Sequence, residues 1–341
     1  MTDEFKEAET RATVRAVVAR RYGEAKVLQI AARPRPEPAP DEVVVRVSAS
    51  SLNIVDWVYM RGLPLMMRAA GGVLRPKQEQ RGRDFAGVVE AIGADVRDLA
   101  EGDEVFGLKA GAWAERIAVP RRQVVKKPAN LSLEEASCLP VAGLTAIQAI
   151  RDHAAVKRGE RVLIIGASGG VGHFAVQFAR WYGADVTAVC SGRNREFVTS
   201  LGAHRVIDYT EEDYAATGDT YDVVYDLVGS KRLGTCLALL TKEGRYVLGG
   251  GQFKRKLLGP MSRMVKLNLR KRFASQTLVS YQARVTQEEL QSLASLIEAG
   301  AAAPSIEKTF PLDQIQEAMR HLATRRTRGK VVVLLEPTRQ E

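Results

Sequence analysis

The sequence predicts an α/β chain of two domains, one β-rich and one built on a doubly wound parallel sheet, and three observations predict it. Its 341 residues exceed one ordinary core, since domains run to about 100 to 200 residues. Short β-branched runs bounded by Gly, Pro and Asp fill the first part. From Arg161 onward, fully apolar strands alternate with helices, and such a pattern requires a parallel sheet covered on both faces.

In chain order, residues 1–14 read as a disordered extension that carries acids and lacks the apolar stretch of a secretory signal. TVRAVVARRY, EVVVRVSASSLN, DFAGVVEAIG and WAERIAVP read as strands. The character changes near Leu131, where Ser132 with Glu135 three residues on forms a capping box, and GLTAIQAIRDHA continues as helix. Strands RVLIIG, DVTAVCS, HRVIDY, YDVVYDLVG and GRYVLGGG then alternate with helices in GVGHFAVQFARWYGA, REFVTSLGA and LGTCLALL. QEELQSLASLIEAG is the closing helix, with Gly300 just past its end. Two short strands and a helix in the last segment are expected to return to the first domain. The expected boundaries are 15–140, completed by 301–341, for the β-rich domain, and 141–300 for the parallel sheet.

Apolar residues at 45% and charged ones at 26% place the chain among globular proteins rather than disordered ones. Cys138, Cys190 and Cys236 are far apart with no metal or redox spacing, so they read as buried thiols in a reducing compartment, and a cytoplasmic protein is expected. The four histidines occur in no ligand or triad spacing and read as incidental. Much of the net charge of +10 is local, between Lys254 and Arg272. That stretch interleaves cations with Leu257, Leu258, Met261, Met264, Val265, Leu267, Leu269 and Phe273, so segment 254–273 could meet an anionic membrane weakly or pack as a lid or interface. Gly259 and Pro260 interrupt the pattern and favour packing. Nucleic acid is not expected as a partner, because the segment has few aromatics for base stacking.

The strongest motif is Gly166, Ala167, Ser168, Gly169, Gly170, Val171 and Gly172, directly after a buried strand and opening a helix. There backbone N–H groups and the helix dipole converge on a dianion, and glycines let the backbone approach a pyrophosphate. The turn has one residue more between its first two glycines than GxGxxG demands, so its βαβ context carries the reading. At the end of the next strand a carboxylate would favour NAD, but this chain has Ser191, Gly192, Arg193, Asn194 and Arg195, with no acid until Glu196. Hydroxyl and guanidinium groups suit a 2′-phosphate, so NADPH is the expected coenzyme.

SLNIVDWVYMRG, RDFAGVVEAIG with GDEVFG, GAWAERIAV, LPVAGLTA, GASGGVG and IDY, in this order, resemble the medium-chain dehydrogenase/reductase superfamily in its zinc-independent quinone oxidoreductase-like branch. The resemblance implies a GroES-like substrate domain built from both chain ends, a Rossmann domain between them, and an active cleft at the seam. It puts Asn53, Arg83 and Val141 where zinc-dependent members carry ligands, so no metal is expected. It implies a site at Asn53 and Asp56, and it places Tyr209 near the 2′-phosphate and Thr145, Gly249 and Gly250 near the nicotinamide. The branch often has Tyr or Lys two residues after the Asp, where this chain has Val58; Tyr59 is then either the proton donor or an ordinary half-buried aromatic. Without a Lewis acid, hydride needs an acceptor that is already electron-poor. The expected function is NADPH-dependent reduction of a small quinone, enone or related activated carbonyl by a homodimer. A non-catalytic NADPH-binding module, acting through a partner or membrane, is the alternative.

Overall fold

The computed structural model describes residues 12–251, 261–272 and 274–335. Residues 1–11 of the expected extension, and 254–260 with Phe273 of the basic segment, lie outside the described residues. β1 (Thr13–Val18) takes up the last two residues of the stretch expected to be disordered and pairs antiparallel with β2 (Gln29–Pro34).

β3 (Glu42–Leu52), β4 (Asp84–Ile92), β5 (Glu104–Leu108), β6 (Arg116–Pro120) and β7 (Val124–Lys126) follow. They form a sheet with β14 (Ile306–Pro311) and β15 (Lys330–Leu334), in the order β14-β15-β3-β4-β5-β7, with β6 also on β3. The chain's last described strand therefore lies beside β3. Its register pairs Val331 with Leu52, which brings Lys330 to the end of β3 next to Asn53. The core of this domain gathers Val43, Val45, Val47, Phe85, Trp113 and Phe310.

β8 (Arg161–Ile165), β9 (Asp185–Cys190), β10 (Arg205–Asp208), β11 (Tyr221–Asp226), β12 (Leu240–Leu248) and β13 (Thr277–Ser280) make the second sheet, in the order β10-β9-β8-β11-β12-β13, all parallel. Alternation within each strand covers both faces: Val162 and Ile164 enter one core, Leu163 and Ile165 the other. Ser132 and Glu135 close the expected capping box: the Ser132 hydroxyl accepts from Glu135 N at 3.1 Å, and the Glu135 carboxylate accepts from Ser132 N at 2.8 Å. Helix Pro140–Gln148 crosses the expected domain boundary in its first turn and packs on helix Gly172–Trp181. Helix Gln287–Glu298 ends at Gly300, whose φ of +82° is that of a left-handed cap.

In the basic segment, helix Met261–Arg270 is not simply a solvated face. Arg263 reaches into the parallel-sheet domain, where its Nη2 meets Asp226 Oδ2 at 2.8 Å, and Leu267 one turn on is buried. Tyr246 and the backbone N–H groups of Val228 and Gly229 donate to the same Asp226 carboxylate. Among the described residues no helix is long and apolar enough to cross a membrane.

Candidate active site

The glycine turn leaves β8 at Gly166, whose φ of +89° only glycine adopts without strain. A Cβ on Gly172 would stand 2.2 Å from Gly166 O, so the turn closes on itself at a spacing that excludes a side chain. Helix Gly172–Trp181 starts there and points its positive end at the turn. His173 braces it: Nε2 accepts from Ser305 N at 3.2 Å, so Nδ1 carries the proton and donates to Gly169 O at 3.1 Å. Burial pushes this imidazole down to about 4. The histidine read as incidental thus ties the turn to the segment that re-enters the first domain.

Asn194 joins the turn to the loop after β9, donating to Ser168 Oγ at 2.9 Å and Ser191 Oγ at 3.3 Å. Arg193 is exposed and donates to Arg326 O, and Tyr209 is an exposed ring after β10. One acid escaped the sequence reading. Asp208, at the end of β10, turns its carboxylate toward Gly192, with Oδ1 accepting from Thr210 N at 2.9 Å and Thr210 Oγ1 at 2.7 Å. These bonds from Thr210 hold its carboxyl below the usual range.

At the far end of the sheet, Thr145 turns its hydroxyl onto Val141 O at 2.6 Å, while its carbonyl accepts from Tyr281. Glycine at 249 and 250 has a packing cause: added Cβ atoms would stand 2.5 Å from the Tyr225 ring and 2.0 Å from Leu227 O.

The candidate catalytic residues open helix Ile54–Arg61 at the end of β3. Asp56 Oδ2 accepts from Asn53 N at 2.8 Å, a carboxylate capping the first turn. The Asn53 amide is turned inward: Oδ1 accepts from Lys330 Nζ at 2.6 Å, and Nδ2 donates to Asp84 Oδ2 at 2.8 Å. Lys330 also donates to Leu52 O at 3.2 Å and stands 3.8 Å from Asp84. Asp84 accepts from Ser51 Oγ at 2.8 Å and from Val141 N at 3.1 Å. Burial pushes the Asp84 carboxyl up, yet Lys330, Asn53, Ser51 and Val141 all present donors, which favour its ionised form. Asn53 and Val141, two of the three positions at which zinc-dependent relatives were expected to carry ligands, thus bond to one buried carboxylate whose counter-charge is Lys330, while Arg83, at the third, faces Asp56 and Tyr59.

Asp56 differs from Asp84. Burial raises it to about 7, with the nearby Asp84 charge adding to the rise and Arg83, the Asn53 N–H and Lys330 opposing it. Tyr59 is partly exposed and lies under the Arg83 guanidinium, 4.4 Å from ring centroid to Cζ. The two halves of the site meet through Gly329 and Lys330. Gly329 N donates to Ser168 O at 2.9 Å, and the Lys330 stem lies 3.4 Å from where a Gly170 Cβ would be.

Sequence reasoning missed Lys330 and Asp84 as site residues. Asp84 was in the quoted block RDFAGVVEAIG, and Lys330 opened an apolar strand, a place that reads as a solvated strand end.

A family model described as "Alcohol dehydrogenase GroES-like domain" matches residues 39–129, and one described as "Zinc-binding dehydrogenase" matches 201–333. A chloroplast envelope quinone oxidoreductase homolog of Arabidopsis thaliana is 30% identical over 318 residues, covering 88% of this chain and 92% of its own. A 2-methylene-furan-3-one reductase of Solanum lycopersicum is 32% identical over 329 residues, covering 92% and 76%. Among solved structures, the quinone oxidoreductase of Coxiella burnetii superposes with a TM-score of 0.82 at 30% identity, covering 95% of this chain and 100% of that one. The Escherichia coli quinone oxidoreductase complexed with NADPH gives 0.81 at 25% identity, covering 94% and 99%.

Proposed function

The chain belongs to the medium-chain dehydrogenase/reductase superfamily, in its zinc-independent quinone oxidoreductase-like branch, and from that premise we propose that it uses NADPH to reduce a small quinone, enone or related activated carbonyl compound. It is an NAD(P)H-dependent oxidoreductase with a GroES-like domain and a Rossmann domain. One arrangement carries the finer reading: the glycine turn and the Asn53–Asp56 helix start converge on Gly329 and Lys330 at the seam.

The turn fits a dinucleotide, because the cradle at Gly166 and Gly172 is one that a Cβ would fill. Ala167, Ser168, Gly169, Gly170 and Val171 would line the pyrophosphate, Ser191, Arg193, Asn194 and Tyr209 the 2′-phosphate, and Thr145, Gly249 and Gly250 the nicotinamide. When bound, the coenzyme supplies a hydride. The chain's own part is to seat the acceptor at the helix start that the inward-turned Asn53 amide fixes, and to hold a proton on Asp56 or Tyr59. NADPH is favoured by Arg193, with Asp208 already engaged by Thr210 and neighboured by Arg195.

A homodimer belongs to this reading, with β13 at the end of the parallel sheet as the edge for a second copy. Three buried free cysteines support a reducing, cytoplasmic setting. Weak contact with an anionic membrane, if made, would use exposed Met264, Val265 and Leu269 beside Lys266 and Arg270.

Purified protein is to be assayed for NADPH and NADH oxidation over a panel of quinones and enones, with coenzyme binding followed by fluorescence. Turnover with NADPH preferred is expected. Binding without turnover of any acceptor would leave the non-catalytic module, and binding of neither coenzyme would defeat both readings.

A further inference from the structure

Three cations stand at the end of β3 and the start of β4, and two are committed. Lys330 is buried and bonded to Asn53 and Leu52, and Arg81 is buried and donates to Ala19 O. Arg83 differs from both. Its side chain keeps 26% of its exposure, and its Nε is 3.9 Å from Asp56 Oδ1, beyond hydrogen-bond reach. Its guanidinium is held over the Tyr59 ring by a contact that occupies no N–H group. Among the described residues that guanidinium makes no hydrogen bond, so its five donors are unspent in a site where three cations face two carboxylates, Asp56 and Asp84. A positioned, partly desolvated cation with unspent donors beside a proton-holding carboxyl is what a developing oxyanion needs.

We propose that Arg83 is a catalytic residue, the electrophile that binds the oxygen of a quinone or enone and holds the negative charge arriving there. The inference rests on the reductase reading. The hydride brings two electrons either to the β-carbon of an enone, forming a C–H bond, or to one carbonyl oxygen of a quinone, forming an O–H bond. The π electrons move to the enone oxygen or to the other quinone oxygen, and that oxyanion is held by the Arg83 N–H groups. A proton then passes from the Asp56 carboxyl to the reduced acceptor, leaving a carboxylate beside Arg83. One hydride and one proton have added across the acceptor, and solvent reprotonates Asp56. The family resemblance sets Arg83 where zinc-dependent members carry a ligand; in this structure that position carries a positive charge.

The test pairs kinetics with a coenzyme-free readout. Arg83→Gln and Arg83→Lys are compared with the parent protein for kcat and KM on one reducible quinone at saturating NADPH. The same proteins are titrated without coenzyme with 4-nitrophenolate, an oxyanion mimic, and with its neutral methyl ether. The expected result is a fall of about 10²- to 10³-fold in kcat/KM for Arg83→Gln, a smaller fall for Arg83→Lys, and an unchanged coenzyme Kd. Phenolate binding should be lost in Arg83→Gln while ether binding stays, a selectivity that general loosening of the fold would not produce. Arg83→Ala should also regain part of its rate on adding guanidinium ion. Kinetics and phenolate binding that stay within about threefold of the parent in Arg83→Gln would overturn the proposal. If the parent protein reduces no acceptor, the reductase reading fails, and the phenolate titration still judges whether Arg83 is an oxyanion site.

Discussion

Asp56 is a carboxyl whose proton sits at the edge of neutrality, because burial outweighs the pull of Arg83 on its ionised form. If Asp56 is the acid, as proposed, it must be protonated to act, so kcat should fall about tenfold per pH unit above about 7 and level off below it. Asp56→Asn should remove that limb, and a profile that keeps it would assign the proton to another group, Tyr59 first. His173 makes the opposite kind of statement, about stability. The unfolded chain takes up a proton near the ordinary imidazole value of 6.5, while the folded chain resists until about 4. Stability from this group is therefore complete above 6.5 and is lost as pH falls from there toward 4, by about 3 kcal/mol in all. Denaturant melts of the parent and of His173→Gln across that window should diverge by the slope of one proton. Parallel curves would mean that the ring is not neutral in the fold. Neither shift was legible in the sequence, since both arise from burial by residues remote in the chain; Lys330 and Asn53, at one site, are 277 positions apart.

At the scale of elements, the glycine turn was legible because its causes are local: an apolar strand, close-set glycines and an amphipathic helix follow one another in the chain. Gly172→Ala places a Cβ 2.2 Å from Gly166 O and 2.7 Å from Ala167 O, and relieving that overlap should cost about 1–3 kcal/mol. NADPH affinity should weaken by about tenfold or more, read by calorimetry, because the displaced backbone is what would line the pyrophosphate in the proposed coenzyme site. An unaltered Kd would separate the turn from the coenzyme. The basic helix was less legible. Its charges suggested a solvated face, yet Arg263 is an inward anchor, because Asp226, 37 residues earlier, ends β11 beneath it. Arg263→Met leaves Asp226, 1% exposed, without its cation and should cost about 3–5 kcal/mol in denaturant melts. A stability within experimental error of the parent would show that Leu267 alone seats the helix. Helix Ile54–Arg61 was quoted as a motif without being read as a helix, although Asn53 and Asp56 stand three apart, as a cap and its partner do.

Across the whole molecule, both ends of the chain build one domain, and that closure makes the site. β15 pairs with β3 and sets Lys330 beside Asn53, while Gly329 holds the glycine turn of the other domain. The return of the last segment was anticipated from its strand and helix pattern, but its consequence was not. A lysine opening an edge-like run gives no sign that it will lie buried against Asp84. The glycine turn and the Asn53–Asp56 helix start meet through Gly329 and through Lys330, which opens the last strand, so the proposed reaction has hydride pass directly across the seam. The most direct measurement uses NADPH deuterated at the transferable position of its nicotinamide, an accepted quinone or enone, and mass spectrometry of the product. Direct hydride transfer predicts one deuterium bound to carbon in the enone product, or a hydroquinone free of carbon-bound label with one oxidised NADP formed for each quinone reduced. An enone reduced without label, or NADPH consumed with no acceptor reduced, would contradict it.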